Sequence, residues 1–189
     1  GRGAGRLFVR SVDLSFHHRM LDIGGGSGAY CIEACNANPH LKATVLDLPE
    51  VTLVAQEFIA ENNLSDRIIT HDADFNKDPF PKDADIAIMA SNLPMYGRQA
   101  IQAVIQKVYD ALLPNGEFHL IGEALNEDRS GPTDPAIWGL AQTLHNSTGM
   151  AHSITECTDY IKNAGFQSID INEFVPGVLT RISGVKSSN

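Results

Sequence analysis

The sequence predicts an α/β fold: a doubly wound, mostly parallel sheet of seven strands with helices on both faces and an antiparallel hairpin at its C-terminal end. Three observations predict it. Short apolar runs alternate with helical patterns along most of the chain. The first of these runs, Leu21-Asp22-Ile23, ends in the glycine turn Gly24-Gly25-Gly26-Ser27-Gly28, and the last two flank Pro176-Gly177. Strands alternating with crossover helices pair in parallel, and a glycine turn after the first strand lets the backbone bend sharply and lie close to a ligand.

In order, Gly1 to Gly5 reads as a ragged end or linker, and Arg6 to His18, with Leu7, Phe8, Val9 and Val12, as a short lead-in helix. Residues 1–19 are therefore set apart from a domain over 20–189. The strand Met20 to Gly24 leads through the turn into a helix from Ala29 to Asn38, stopped by Pro39. Lys42 to Asp47 is a second strand ending in an acid, and Pro49 opens an amphipathic helix to about Asn62. Strands follow at Ile68 to His71 and Asp85 to Ala90, then a long helix from Arg98 to Leu113. Pro114-Asn115-Gly116 turns into the fifth strand, Glu117 to Glu123. Leu125 to Asp134 is polar and reads as a loop over the sheet. Pro135 to Thr148 reads as a helix, and Thr155 as the cap of a further helix to Asn163. Gln167 to Phe174 and Val178 to Lys186 form the hairpin.

A chain of 189 residues with 43% hydrophobic content buries a full core as one domain. The net charge of -9, with no dense Lys/Arg cluster, argues against nucleic acid and against an anionic membrane surface as partners. Cys31 and Cys35 share a helix face and read as core packing rather than as a metal pair, since no second CxxC or His pair completes a site. Three cysteines, no signal peptide and no long apolar run fit a reducing cytoplasm.

Two cofactor classes compete for the crevice at the carboxyl ends of the strands. Gly24-x-Gly26-x-x-Ala29 satisfies the dinucleotide pattern, and Asp47, 25 positions after Asp22, falls where an acid holds ribose hydroxyls in either class. Asp22 shifts the balance. A carboxylate there repels a pyrophosphate but pairs with an amino group, and S-adenosyl-L-methionine carries an ammonium and a sulfonium and no phosphate.

From Leu21 onward the chain resembles the catalytic domain of the S-adenosylmethionine-dependent O-methyltransferases of the caffeic acid and hydroxyindole type. The resemblance rests on the glycine turn, Val45-Leu46-Asp47-Leu48-Pro49-Glu50-Val51, Asp66-Arg67-Ile68, Asp74-Phe75 with Lys77-Asp78-Pro79, and Ala111-Leu112-Leu113-Pro114-Asn115-Gly116. It implies a Rossmann-like class I methyltransferase fold. It also implies a donor site in which Gly24, Gly25 and Gly26 line the methionine part, Asp47 takes the ribose hydroxyls, Leu48 packs on the adenine and Asp74 with Phe75 meets its edge, with S-adenosyl-L-homocysteine as the product; Asp22 and Ser91 are counted with these cofactor-binding residues. Members of that family carry a helical N-terminal domain that dimerises them; no segment here corresponds to it, so a homodimer is expected only if a longer protein carries one.

The chain also departs from the family. Where the resemblance places a His as general base stands Pro94; a Lys position is Ala90, and a second acidic partner falls near Ala151. Of this machinery Glu123 alone keeps its identity. Candidate catalytic residues are therefore Glu123, His145 and His152, while Met95, Tyr96, Trp138 and Gln142 are candidate substrate-lining residues. Without the usual base, an acidic hydroxyl, a sulfur or an electron-rich carbon becomes a plausible nucleophile of a small-molecule acceptor. Two alternatives stand beside this reading: a protein that binds the donor without transferring the methyl group, and an NAD-dependent dehydrogenase.

Overall fold

A computed structural model describes residues 1–145 and 148–188. Its elements in chain order are α1 (Arg2–Ser11), β1 (Arg19–Ile23), α2 (Ala29–Ala37), β2 (Lys42–Asp47), α3 (Pro49–Glu61), β3 (Ile68–Asp72) and β4 (Ile86–Ala90). A 3-10 turn, Leu93–Met95, precedes α4 (Arg98–Ala111), β5 (Glu117–Gly122) and β6 (Ala124–Leu125). The chain continues through α5 (Thr133–His145), β7 (His152–Ser153), α6 (Ile154–Ala164), β8 (Gln167–Val175) and β9 (Leu179–Val185).

The seven-stranded sheet runs β3-β2-β1-β4-β5-β9-β8. Its first five strands are parallel, and β9 is antiparallel to both β5 and β8, so the expected terminal hairpin closes one edge. The order reverses at β1, which puts β2 on one side and β4 on the other. That reversal opens a crevice outside the carboxyl ends of these three strands.

Period-two alternation feeds two apolar layers. Met20, Val45, Ile86 and Ile88 face α1, α2 and α3, through Phe8, Cys31, Cys35, Ala55 and Ile59. Leu21, Ile23, Leu46, Ala87 and Met89 face α4 and α6, through Ile101, Val108, Tyr160 and Ile161. Cys31, Cys35 and Cys157 are free and buried, as core packing requires. Among the described residues no helix is long and apolar enough to cross a membrane.

Three local readings need correction. The lead-in helix runs Arg2–Ser11 rather than Arg6 to His18: Arg2 and Arg6 both reach Glu33 of α2 with Phe8 fully buried beneath them, and Val12 turns to extended backbone. The stretch after Glu123 is not all loop: Ala124–Leu125 pairs in parallel with His152–Ser153, and α5 already starts at Thr133. The cap of α6 is Ser153 rather than Thr155. Its hydroxyl accepts from the Glu156 N–H at 3.2 Å, while the Glu156 carboxylate accepts from the Ser153 N–H at 2.8 Å, a reciprocal capping box. The expected helix end at Thr148 runs through positions 146 and 147, outside the described residues; α5 is described as far as His145.

Candidate functional site

The glycine turn is built by positive backbone angles and by close neighbours. Gly24 sits at φ +64°, and a β-carbon on it would come within 2.7 Å of the Asn92 amide nitrogen. At Gly25 a β-carbon would meet the Asp22 carboxyl carbon at 2.7 Å, whereas at Gly26 it would point into open space. Glycine is thus demanded twice by packing, and once by φ +56° beside room for a ligand.

Asp47 locks this turn. Its Oδ2 accepts from the Gly26 N–H and its Oδ1 from the Leu48 N–H, both at 2.8 Å. A carboxylate has about four acceptor positions, so capacity remains for hydroxyl donors in the crevice. Asn92 supplies a brace that the sequence did not announce: its amide donates to the carbonyls of Ala90, Ile23 and Gly24 at 3.0, 3.3 and 3.4 Å. Neighbouring Ser91 adopts φ +58°, and its N–H is held by the Ile121 carbonyl at 2.8 Å. The strained turn at the end of β4 is therefore pinned to β1 on one side and β5 on the other.

A cavity of about 360 Å³ opens over this turn, lined by Asp22, the three glycines, Tyr30 and Ser91 among others. Asp22 is 1% exposed, and its one polar neighbour among the described residues is the Cys31 thiol at 3.7 Å. Burial, with the Asp47 charge adding to it, raises the Asp22 carboxyl to about 7. A cation placed in the cavity would reverse that shift by stabilising the carboxylate.

The residues expected on the adenine side follow β2 and β3: Leu48 at the start of α3, and Asp74 and Phe75 in the loop after β3. Leu48 is 40% exposed at the N-cap of α3. Asp74 accepts from Lys77 at 2.8 Å and from the Asn76 N–H at 2.9 Å, and the Lys77 bond first of all holds its carboxyl below the ordinary value. Phe75 is buried, its ring 3.1 Å from where a Gly24 β-carbon would lie. Lys107 of α4 ties the loop down by donating to the Phe75 carbonyl and, at 2.9 Å, to that of Asp78, with its ammonium 4.6 Å above the Phe80 ring.

The catalytic and substrate candidates do not converge on one place. Glu123 follows β5, with its Oε2 buried and without a partner among the described residues. Burial raises its carboxyl above the ordinary value. It faces a cavity of about 290 Å³ formed with Asp134, Ile137, Trp138 and Val178. Met95, Tyr96 and Gln142 are not in that lining. Tyr96 stands edge-on to Phe75, with ring centroids 5.2 Å apart. His145 is exposed at the end of α5, with Nδ1 2.8 Å from the Ala141 carbonyl. His152 is fully buried and bonded at both ring nitrogens. Pro94 lies in the 3-10 turn and Ala151 directly before β7, and the two segments meet where the Pro94 carbonyl accepts from the Met150 N–H at 3.0 Å.

A parallel sheet with a glycine cradle at its switch point and an acid ending the next strand defines an α/β domain for a nucleoside-bearing cofactor. The chain belongs to the O-methyltransferase domain family, whose description matches residues 4–167. It is 37% identical over 184 residues to the 3-hydroxy-5-methyl-1-naphthoate 3-O-methyltransferase of Streptomyces sahachiroi, covering 96% of this chain and 53% of that protein. It is 30% identical over 179 residues to the L-tyrosine C(3)-methyltransferase of Streptomyces lavendulae, covering 92% and 49%. Among solved structures it superposes on human N-acetylserotonin methyltransferase in complex with SAM, with a TM-score of 0.82 and 28% identity over 97% of this chain and 51% of that one. The fold is thus the Rossmann-like class I methyltransferase fold. The chain spans about half the length of the curated relatives it matches.

Proposed function

We propose that this chain forms the donor-binding and catalytic domain of an S-adenosyl-L-methionine-dependent methyltransferase acting on a small hydroxylated aromatic, with S-adenosyl-L-homocysteine as product. One observation carries the reading. Asp47 braces the glycine turn through Gly26 and Leu48 while the buried Asp22 carboxyl faces the same cavity. That arrangement suits ribose hydroxyls and an ammonium, and its two carboxyls oppose a pyrophosphate. Gly24, Gly25, Gly26 and Ser91 would bound the amino-acid end of the donor; Leu48, Asp74 and Phe75 would bound its adenine. When bound, the donor supplies an electrophilic methyl group on a sulfonium.

The chain's own residues then have two tasks: to hold the acceptor close and dry, and to take its proton. Glu123 is our assignment for the second. Its carboxyl is raised by burial, its Oε2 has no partner among the described residues, and it opens onto an apolar cavity beside Trp138. A base with a raised pKa is better matched to a phenol than an ordinary carboxylate is. Met95, Tyr96 and Gln142 are kept as lining for a larger acceptor, and His145 as an exposed residue that Glu123 outweighs. The name of the Streptomyces lavendulae relative makes an electron-rich ring carbon a second possible nucleophile. The dehydrogenase and non-transferring alternatives find no support among the relatives.

Residues 20–189 are proposed as the donor-binding domain, with 1–19 as a lead-in segment packed on it. If the whole protein has a helical N-terminal half, a homodimer is expected. Free, buried cysteines support a cytoplasmic placement. The test is transfer from a methyl-labelled donor by the full-length protein to a panel of hydroxyarenes. Label should enter the organic product, and Glu123→Gln should lower kcat by roughly 10²- to 10⁴-fold while leaving donor affinity unchanged. No labelled product from any acceptor would refute the assignment.

A further inference from the structure

His152 offers itself from the sequence as a base, but its surroundings give it other work. It begins β7, which pairs with the residue directly after Glu123, Ala124 opposite His152. Its ring is 0% exposed, with Nε2 2.8 Å from the Tyr96 carbonyl and Nδ1 3.0 Å from the Tyr160 hydroxyl. A carbonyl only accepts, so Nε2 carries the proton and Nδ1 accepts from Tyr160. The ring's pKa is lowered by burial, which disfavours its charging. It cannot take a substrate proton without giving up one of these bonds.

What the ring holds is the strap Leu93–Tyr96 between β4 and α4. The strap is also tied by the Met150 N–H to the Pro94 carbonyl at 3.0 Å, and it leans on the donor-side loop through Tyr96 against Phe75. The other side of the strap reaches α5. A β-carbon on Gly139 would come within 2.5 Å of the Ala151 β-carbon, so α5 rests directly on the residue before His152, and Trp138 is the next position. One buried ring thus meets the strap, the strand leaving Glu123 and Tyr160 of α6.

We propose that His152 is a positioning residue, whose two ring hydrogen bonds tie the strap to α6 and so fix β7 and the Ala151 on which α5 rests, so that Glu123 and Trp138 stand correctly beside the donor cavity. This rests on the methyltransferase reading above. Asp47, Asn92 and Lys107 tie the donor side independently of the ring, and His152 holds the Tyr96 carbonyl while the Tyr96 side chain meets Phe75, so loss of His152 falls first on the acceptor side.

The experiment compares His152→Leu, His152→Gln and Tyr160→Phe in the full-length protein. It reads S-adenosylhomocysteine affinity by calorimetry, kcat for methyl transfer, and the emission of Trp138 taken as the difference from a Trp138→Phe partner of each variant. Donor affinity should stay within about threefold in all of them. His152→Leu should lower kcat roughly 10- to 100-fold and shift Trp138 emission to the red. His152→Gln, which keeps an N–H for the Tyr96 carbonyl, should restore most of both. Tyr160→Phe removes only the second bond and should lower kcat by about two- to fivefold, which keeps the test open should the Leu variant not fold. The proposal is overturned if folded His152→Leu keeps wild-type turnover and emission, if Leu and Gln lose equally, or if donor affinity falls in step with kcat. Should the wild type bind S-adenosylhomocysteine yet methylate nothing, the methyltransferase reading fails by itself, and Trp138 emission still decides the role of His152.

Discussion

Asp22 is a buried carboxyl with a weak thiol donor as its one hydrogen-bond partner among the described residues, and the fold bears the cost of keeping it there. Its pKa is raised to about 7 by burial from an unfolded value of 3.8. Between those values the folded state binds the extra proton, so stability falls as pH rises from about 4 to about 7, and the penalty is complete above 7. Removing the charge at Asp22→Asn should therefore raise stability at pH 8, by up to roughly 4 kcal/mol, and little at pH 4. The same change should weaken binding of S-adenosylhomocysteine by tenfold or more if the Asp22 carboxylate faces the ammonium as proposed. Denaturant melts at the two pH values, paired with calorimetry, check both halves. A variant that loses stability at pH 8 would show that Asp22 is a structural partner rather than a held charge. The presence of an acid before the glycines was legible in the sequence. Its burial was not, because that follows from α2 closing over β1 and bringing Cys31 to it.

At the scale of elements, the strands and helices were readable where periodicity was strong and misread where a cap or a short pairing decided. Thr155 looked like a cap because a hydroxyl precedes an apolar pattern. The capping box lies two residues earlier, and the Thr155 N–H is instead taken by the Glu127 carboxylate at 2.8 Å. Ser153→Ala should therefore cost about 1 kcal/mol of stability and Thr155→Ala clearly less, measured by urea unfolding; the reverse order would contradict the capping assignment. Lys107 and Asn92 were invisible for a related reason. Each acts on backbone carbonyls far away in sequence, Lys107 across to Phe75 and Asp78 and Asn92 across to Ile23 and Gly24. Side chains that bond to backbone leave no complementary residue type for a reader to find.

For the whole molecule, the sheet, its reversal at β1 and the closing hairpin followed from alternation and turn chemistry, which are local and periodic. The glycine turn and Asp47 were placed correctly beside one another, yet Asp47 proved to be a brace of the turn as well as a candidate ribose ligand. The acceptor side was least legible. Glu123 and Trp138 meet in one cavity, while Met95, Tyr96, Gln142, His145 and His152 lie in the strap, in α5 or under the surface, because tertiary packing of α5 and β7 sorts them. The donor site is tested by titration calorimetry of S-adenosylhomocysteine, with NAD in parallel, into the wild type and Asp47→Ala. The account predicts saturable binding of one S-adenosylhomocysteine per chain, weakened by tenfold or more (about 1.4 kcal/mol) in Asp47→Ala, and no heat from NAD. Tight NAD binding, or S-adenosylhomocysteine affinity untouched by the loss of Asp47, would contradict it.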